Sequence, residues 1–123
     1  MKNYPDTATE RFNNANFHIK YCLSFIKKYI SGNILEIGAG CGSFTRNYIG
    51  SNQKKITLTE LDKKNIIDLK KNFKKSKKIN IKSCSIEKIK GKYDVILYLH
   101  VLEHIKNDKL EIINAKKKLK KNG

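Results

Sequence analysis

The chain has 123 residues, with 27 Lys and Arg against 11 Asp and Glu, for a formal net charge of +16. At this length we expect one domain and not a multidomain organisation. No run of about 18 apolar residues occurs, and the first 20 residues lack the apolar segment of a secretory leader. We therefore expect no membrane span and a cytoplasmic location.

The positive charge favours an anionic partner, because basic surfaces attract phosphate. Only Arg11 and Arg46 are arginines, however, and specific recognition of phosphates and bases relies on the arginine fork. The excess lysine accompanies abundant Asn and Ile, which is typical of AT-rich coding DNA. Nucleic acid is therefore an alternative partner and not the favoured one.

The cysteines are Cys22, Cys41 and Cys84, an odd number at wide spacing. This pattern fits neither a disulfide framework nor a CxxC metal site. We expect three reduced thiols.

An amphipathic helix is predicted over residues 9–31. It should end near Ser31 and Gly32, since glycine suits the left-handed conformation of a helix stop. Its apolar residues recur three and four positions apart and form one stripe: Phe12, Ala15, Ile19, Cys22, Leu23, Ile26 and Ile30.

Four strands and three further helices follow in alternation. The strands are expected at residues 33–37, 54–61, 79–83 and 93–101. The helices are expected at 43–49, with Ser43 as N-cap, at 63–75, and at 107–121. The inward side chains should be Ile66, Ile67, Leu69 and Phe73 on the second of these helices, and Leu110, Ile113 and Leu119 on the third.

This alternation predicts a doubly wound, Rossmann-like α/β fold with a parallel sheet and right-handed crossovers. In such sheets, ligands bind beyond the carboxyl ends of the strands. The glycine turn after the first strand and His100 at the end of the fourth are therefore the candidate site.

The turn reads Gly38-x-Gly40-x-Gly42, and Ser43 stands where the GxGxxG pattern of dinucleotide binders has its third glycine. A pyrophosphate needs the amides of a helix start. The absence of this third glycine favours a ligand that has no phosphate, and we expect S-adenosyl-L-methionine. The Glu36 carboxylate would suit the ammonium group of this ligand. A tight strand-to-helix connection is the alternative for a glycine turn taken alone.

An acidic residue is expected at the end of the second strand, where a carboxylate accepts hydrogen bonds from ribose hydroxyls. Glu60 lies 20 positions beyond Gly40. Asp62 is the second choice, although a helix N-cap is the more typical role at its position.

With these motifs the sequence resembles the class I S-adenosylmethionine-dependent methyltransferases. "ILEIGAGCGSFT" resembles their first motif, "ITLTELD" the ribose-binding strand end, "YDVILYLHVLEHI" the fourth-strand motif and "AKKKLKKNG" the helix end usually written LKPGG. The resemblance covers the chain from Phe12 onward and is closest to bacterial small-molecule methyltransferases.

The resemblance implies a role for each matching residue. Gly38, Ala39, Gly40 and Gly42 would line the methionine moiety, with Glu60 and the adjoining Leu61 at the ribose. Ser85 and Ile86 occupy the place where many relatives have an adenine-binding aspartate. His100 would lie beside the methyl group, either as a catalytic general base or as a lining of the cofactor pocket.

His100, Glu103 and His104 also form an HxxEH pattern, as in inverted zinc peptidases. Because His100 closes a predicted strand, the two histidines would not share one helical face, and we do not favour a zinc hydrolase. Some quinone-pathway O-methyltransferases bind a divalent ion through ExxEH here, but His100 replaces their first carboxylate. We predict no metal.

A complete class I domain continues with further strands after the segment that ends at Gly123. We therefore expect a single incomplete domain over residues 1–123 with an exposed fourth-strand edge that favours self-association.

The leading hypothesis is methyl transfer to O, N or C of a small-molecule acceptor. An rRNA adenine methyltransferase is one alternative, but its Asn/Asp-apolar-Pro-aromatic motif is missing after the fourth strand. A non-catalytic binding module is the other.

Overall fold

The protein is described by a computed structural model that covers residues 8–123, with side chains from residue 15 onward. The first helix, α1, spans Ala8–Ile26 and tightens into a 3₁₀ turn at Lys27–Tyr29. The helix is thus shorter than predicted, because Gly32, with φ of +82°, already begins the first strand.

The remaining elements follow the predicted alternation. They are β1 (Gly32–Ile37), α2 (Ser43–Tyr48), β2 (Gln53–Thr59), α3 (Lys63–Asn72), β3 (Ile79–Lys82), β4 (Val95–Tyr98) and α4 (Asp108–Lys116). Short 3₁₀ turns at Ile86–Lys88 and Leu102–His104 follow β3 and β4. The strand β4 ends earlier than predicted, so His100 lies in the segment after it.

All strand pairs are parallel, and the order in the sheet is β3-β2-β1-β4. This arrangement confirms the Rossmann-like fold. The chain reverses its direction of travel across the sheet between β1 and β4, and such a switch point opens a crevice at the carboxyl ends of the strands. Within residues 8–123, β4 pairs only with β1 as a strand, and just before β4 an isolated parallel bridge joins Tyr93 to Leu119. The other edge of Val95–Tyr98 itself has no strand partner in this range.

Alternate side chains of the central strands enter two separate cores, as the period of a strand dictates. On one face, Ile34, Ile56 and Leu58 pack with Leu23 of α1 and Leu69 of α3. On the other face, the core consists of Leu35, Ile37, Ile86 and Ile89. Both faces of β1 are therefore buried, whereas β2 and β3 leave a depression of about 410 Å³ on the second face, lined by Thr57 and Asn80 among others.

Three helix faces differ from the prediction. Leu23 of α1, and Ile30 just after the 3₁₀ turn, are buried as expected, but Ala15 is exposed, and Phe12 lies outside the described side chains. In α3, Ile67 is 67% exposed while Leu69 is buried. The periodicity places residues 67 and 69 about 200° apart on a helix, so they cannot both face the sheet.

In α4, the predicted inward residues Leu110 and Ile113 are 47% and 53% exposed. Ala115 is buried instead. Glu111, one helical turn before Ala115, accepts a hydrogen bond of 2.8 Å from the Tyr98 hydroxyl of β4. The hydrogen bond between Glu111 and Tyr98 turns this side of α4 toward β4. Hydrophobic periodicity does not reveal a polar contact of this kind.

No helix in the described part of the chain is long and apolar enough to cross a membrane.

Candidate functional site at the carboxyl ends of the strands

A cleft of about 320 Å³ lies at the carboxyl ends of the strands, where the switch point predicts it. Its volume is at the lower end of the roughly 300–1,000 Å³ of small-molecule sites. The lining residues come from the ends of all four strands and from the segments that follow them: Ile37, Gly38, Thr59, Glu60, Leu61, Cys84, Ser85, Ile86, Val101, Ile105 and Glu111.

The glycines of the turn have different neighbours. A Cβ on Gly38 would lie 2.8 Å from a methyl group of Val101, and one on Gly42 would collide with the ring of Phe73. A Cβ on Gly40, with φ of +59°, would meet no atom within 4 Å. The protein's own packing thus disfavours a side chain at Gly38 and Gly42, whereas the space beside Gly40 is open; of the three glycines, Gly38 lines the cleft.

Glu60 connects the end of β2 to the glycine turn. Its Oε2 accepts a hydrogen bond of 2.8 Å from the Gly40 amide, and its Oε1 accepts bonds of 2.8 and 2.9 Å from the amides of Leu61 and Asp62. A carboxylate offers about four lone-pair positions. Glu60 therefore has acceptor capacity left, directed into the cleft that it lines.

Asp62 has the capping role that its position suggested. Its Oδ1 accepts a hydrogen bond of 2.9 Å from the Asn65 amide, at the N-terminus of α3. The N-cap of α2 was predicted at Ser43 but is Gly42 in the structure. Gly42 has the left-handed conformation, and Ser43 is the first residue of α2.

The carboxylate of Glu36 does not reach the cleft. Glu36 is 2% exposed, and its Oε2 accepts hydrogen bonds of 2.7 Å from the hydroxyls of both Thr45 and Tyr48 on α2. Direct contact with a ligand ammonium does not fit this burial. The residue instead holds α2 against β1, the two elements that the glycine turn connects.

Burial dominates the electrostatics of this cluster. It raises the pKa of Glu36 above the ordinary value, although the hydrogen bonds from Tyr48 and Thr45 act in the opposite direction. Burial and the neighbouring Glu36 also raise the pKa of Tyr48. The phenol therefore stays protonated and donates to the carboxylate.

The other predicted cofactor residues lie around the turn in different ways. Ala39 is 8% exposed, with its side chain in the core, and its amide donates to the Thr59 carbonyl at 2.9 Å. Leu61 is 67% exposed and lines the cleft. Ser85 and Ile86 also line it, Ser85 being exposed and Ile86 buried.

His100 does not line this cleft. It is exposed, with a backbone φ of +58° that is uncommon for any residue but glycine. Its ring lies 5.6 Å from that of Phe44 on α2 and 5.1 Å from that of His18 on α1. His100 is therefore on the α1 side of the glycine turn, separate from the residues near Glu60.

The sequence analysis did not predict that His18 and Cys22 would lie together beside a candidate site residue. Both lie beside His100, with Nε2 of His18 at 3.0 Å from Nε2 of His100 and at 3.6 Å from Sγ of Cys22. The spacing of His18 and Cys22 on one helix was visible, but nothing in the sequence indicates that His100 would join them. The three cysteines are free thiols, as expected.

A larger depression of about 600 Å³ lies at the opposite end of the sheet, where it is lined by residues such as Gly32, Asp94 and Lys120. It is formed at the amino ends of β1 and β4. Ligands of this fold bind at the carboxyl ends, so we assign the site to the smaller cleft.

A family model described as a methyltransferase domain matches residues 35–123, which include the glycine turn, Glu60 and the segment after β4. The chain belongs to this methyltransferase domain family. The match confirms the resemblance noted from the sequence motifs, and the parallel sheet order agrees with it. No curated protein matches the sequence significantly.

Solved structures with the same fold are distant in sequence. The N-methyltransferase NodS from Bradyrhizobium japonicum, in complex with S-adenosyl-L-homocysteine, has a TM-score of 0.69 and 21% identity, over 94% of this chain and 59% of its own. Coclaurine N-methyltransferase, bound to N-methylheliamine and S-adenosylhomocysteine, has a TM-score of 0.72 and 18% identity, over 98% and 37%.

The N-terminal domain of EvdMO1, determined with S-adenosylhomocysteine and D-fucose, has a TM-score of 0.69 and 16% identity, over 82% of this chain and 46% of its own. This methyltransferase-family chain thus spans 37–59% of the length of these three structures.

Proposed function

We propose that the protein binds S-adenosyl-L-methionine in the cleft beside Glu60 and transfers its methyl group to O, N or C of a small-molecule acceptor. The observation that carries the proposal is the juxtaposition of the open Gly40 backbone with the Glu60 carboxylate, 2.8 Å apart across β1 and β2. An adenosyl amino acid requires a turn without side chains for its methionine end and a hydrogen-bond acceptor for its ribose hydroxyls.

The residues around the cleft fit the parts of this cofactor. Gly38 and Gly40 would hold the methionine end and Glu60 the ribose hydroxyls. Leu61 and Ile86 offer apolar surface to the adenine, and the exposed Ser85 offers a hydroxyl. Ala39 and Gly42 would act by shaping the turn, since the Ala39 side chain and the space at Gly42 belong to the core.

The cofactor, when bound, supplies a sulfonium methyl that an acceptor lone pair attacks while the C–S bond breaks and its electrons pass to sulfur. The chain's part is positioning, which converts a bimolecular encounter into an oriented one. His100 lies on the α1 side of the turn, where we place the acceptor. Coclaurine N-methyltransferase, with its bound N-methylheliamine, supports a small-molecule acceptor.

Two finer points belong to the same proposal. We infer a cytoplasmic location, since three free thiols persist in a reducing compartment. We also infer self-association through the free edge of β4, because an unpaired strand edge pairs readily with another chain. Nucleic acid remains the less favoured partner for the charge of +16.

Calorimetric titration of the folded chain with S-adenosylmethionine and S-adenosylhomocysteine tests cofactor binding. Glu60→Gln should weaken binding about tenfold or more, because charged hydrogen bonds contribute roughly 1.5–3 kcal/mol each. Asp62→Asn is the matched control, since asparagine also caps helices, and it should bind as the parent does. Absence of binding by a folded parent would overturn the proposal and favour a non-catalytic module.

A further inference from the structure

Three potential metal ligands converge beside the glycine turn, outside the cleft near Glu60. They are His18, Cys22 and His100, and they form the one group of three or more such side chains that converges among the described residues. The distances between their ligand atoms are 3.0 Å for the two Nε2 atoms, 3.6 Å from Sγ to Nε2 of His18, and 4.0 Å from Sγ to Nε2 of His100.

We propose that His18 Nε2, Cys22 Sγ and His100 Nε2 bind a zinc-like divalent ion, whose fourth coordination position is taken by water. Tetrahedral zinc with Zn–N bonds of about 2.05 Å and Zn–S bonds of about 2.3 Å requires separations of about 3.3 Å between nitrogens and about 3.6 Å between nitrogen and sulfur. The observed separations lie within about 0.4 Å of these values.

The ligand types select the class of metal. A thiolate with two imidazoles suits zinc and its borderline neighbours, whereas Mg²⁺ and Ca²⁺ require oxygen ligands. Three protein ligands with one open position is also the arrangement of catalytic zinc sites, and structural sites have four.

The fold brings these ligands together from two distant segments. His18 and Cys22 are four residues apart on α1, so both lie on one face of the helix. His100 comes from the segment after β4, 78 positions beyond Cys22. The ion would therefore fasten α1 to the carboxyl end of β4, next to the first turn of α2 that carries Phe44.

The surroundings of His100 are those of a metal-binding histidine. Its left-handed backbone, with φ of +58°, is a strained conformation of the kind that concentrates at functional sites. Its second nitrogen, Nδ1, faces Oε1 of Glu103 at 4.0 Å. A carboxylate near this nitrogen is the usual second partner of a metal-binding histidine, and here it lies beyond hydrogen-bond distance.

A hydrogen bond between the two imidazoles explains only one of the three short distances. It gives no reason for the Cys22 sulfur to lie within 4.0 Å of both nitrogens. Binding of the ion requires neutral imidazoles and releases the thiol proton to solvent. The site differs from the HxxEH pattern, because His104 is not part of the cluster and its Nε2 lies 3.8 Å from Oε1 of Glu103.

Titration of the untagged 123-residue chain with Zn²⁺ tests the site. We expect one ion per chain with micromolar or tighter affinity. His18→Ala, Cys22→Ser and His100→Ala should each weaken binding by about tenfold or more, and Zn²⁺ should raise the Tm of the parent but not of these variants. His104→Ala and Cys84→Ser are the matched controls and should bind as the parent does.

Substitution with Co²⁺ gives a direct readout of the sulfur ligand. The parent should show a thiolate-to-cobalt charge-transfer band that Cys22→Ser lacks and Cys84→Ser retains. If Cys22→Ser does not fold, Cys22→Ala is compared instead, since it also removes the sulfur. No Zn²⁺ binding by the folded parent, equal affinity in the ligand variants, or a loss confined to His104→Ala would each overturn the proposal. These titrations contain no S-adenosylmethionine, so their outcome is independent of the proposed function.

Discussion

The Glu60 carboxylate accepts a hydrogen bond of 2.8 Å from the amide of Gly40, although the two residues belong to different strand ends. The same carboxylate binds the amides of Leu61 and Asp62. One side chain therefore fixes the glycine turn and the loop after β2, and it also faces the cleft assigned to the cofactor.

Replacing Glu60 should therefore affect stability even without cofactor. Glu60→Ala removes the acceptor for three amides and should lower the free energy of unfolding by about 1–3 kcal/mol. Glu60→Gln keeps one carbonyl oxygen and should lose less. Urea unfolding of the unliganded proteins measures both values, and equal stability of Glu60→Ala and the parent would contradict a role in holding the turn.

Gly42 and Gly40 should respond differently to alanine. At Gly42, with φ of +88°, the new methyl group would meet the Phe73 ring and, at 3.1 Å, Leu69, so we expect a loss of about 2–4 kcal/mol in unfolding free energy. At Gly40 only backbone strain of about 1–2 kcal/mol is expected, but the methyl group would occupy the open space beside the Glu60 carboxylate, where we propose that the cofactor binds, and it should weaken cofactor binding.

Gly91→Ala is the control for this pair, because Gly91 has a φ of +94°, no atom within 4 Å of an added Cβ, and a place outside the cleft. It should show the backbone strain without loss of cofactor affinity. Thermal unfolding and calorimetry separate the two effects. Equal losses of unfolding free energy for Gly40→Ala and Gly42→Ala would contradict the prediction that contact with Phe73 makes the Gly42 substitution more destabilising.

Glu36 should make stability fall as the pH rises. Burial raises the pKa of Glu36 above the ordinary value of 4.5 in the folded state. Between that value and the folded pKa, the folded chain holds a proton that the unfolded chain has lost. The stabilisation is present below 4.5 and disappears as the pH passes through the folded pKa. Glu36→Gln should therefore gain stability relative to the parent at neutral pH.

The measurement for Glu36 is the free energy of unfolding as a function of pH for the parent and Glu36→Gln. The variant keeps a carbonyl oxygen for the hydroxyls of Thr45 and Tyr48. The difference between the two proteins should shrink toward pH 4.5. Parallel pH curves would mean that the buried carboxyl does not titrate with folding.

Asp94 should have the opposite pH dependence. The Asn33 amide, at 2.7 Å, and then Lys120, at 3.0 Å, lower its pKa from the ordinary value of 3.8. Its contribution is therefore present above pH 3.8 and is lost as the pH falls through the folded pKa. Asp94→Asn should therefore reduce the loss of unfolding free energy at acidic pH. Urea unfolding at decreasing pH measures this loss for the parent and the variant. Equal losses in the two proteins would show that Asp94 does not contribute to acid unfolding.

Local sequence by itself determined the element order, the glycine turn and the Asp62 cap. Strand periodicity, a left-handed glycine and a capping carboxylate act within a few residues, so their signals are readable along the chain. The family motifs extended this reading to the fold, and the family match over residues 35–123 confirmed it.

Only the tertiary structure decided which groups meet across the sheet. It buried Glu36 against α2, filled the space at Gly42 with Phe73, and turned α4 so that Glu111 meets Tyr98. It also carried His100 to His18 and Cys22, 82 and 78 positions away along the chain. Such contacts depend on crossover geometry and side-chain packing between distant segments, which no local pattern of residues encodes.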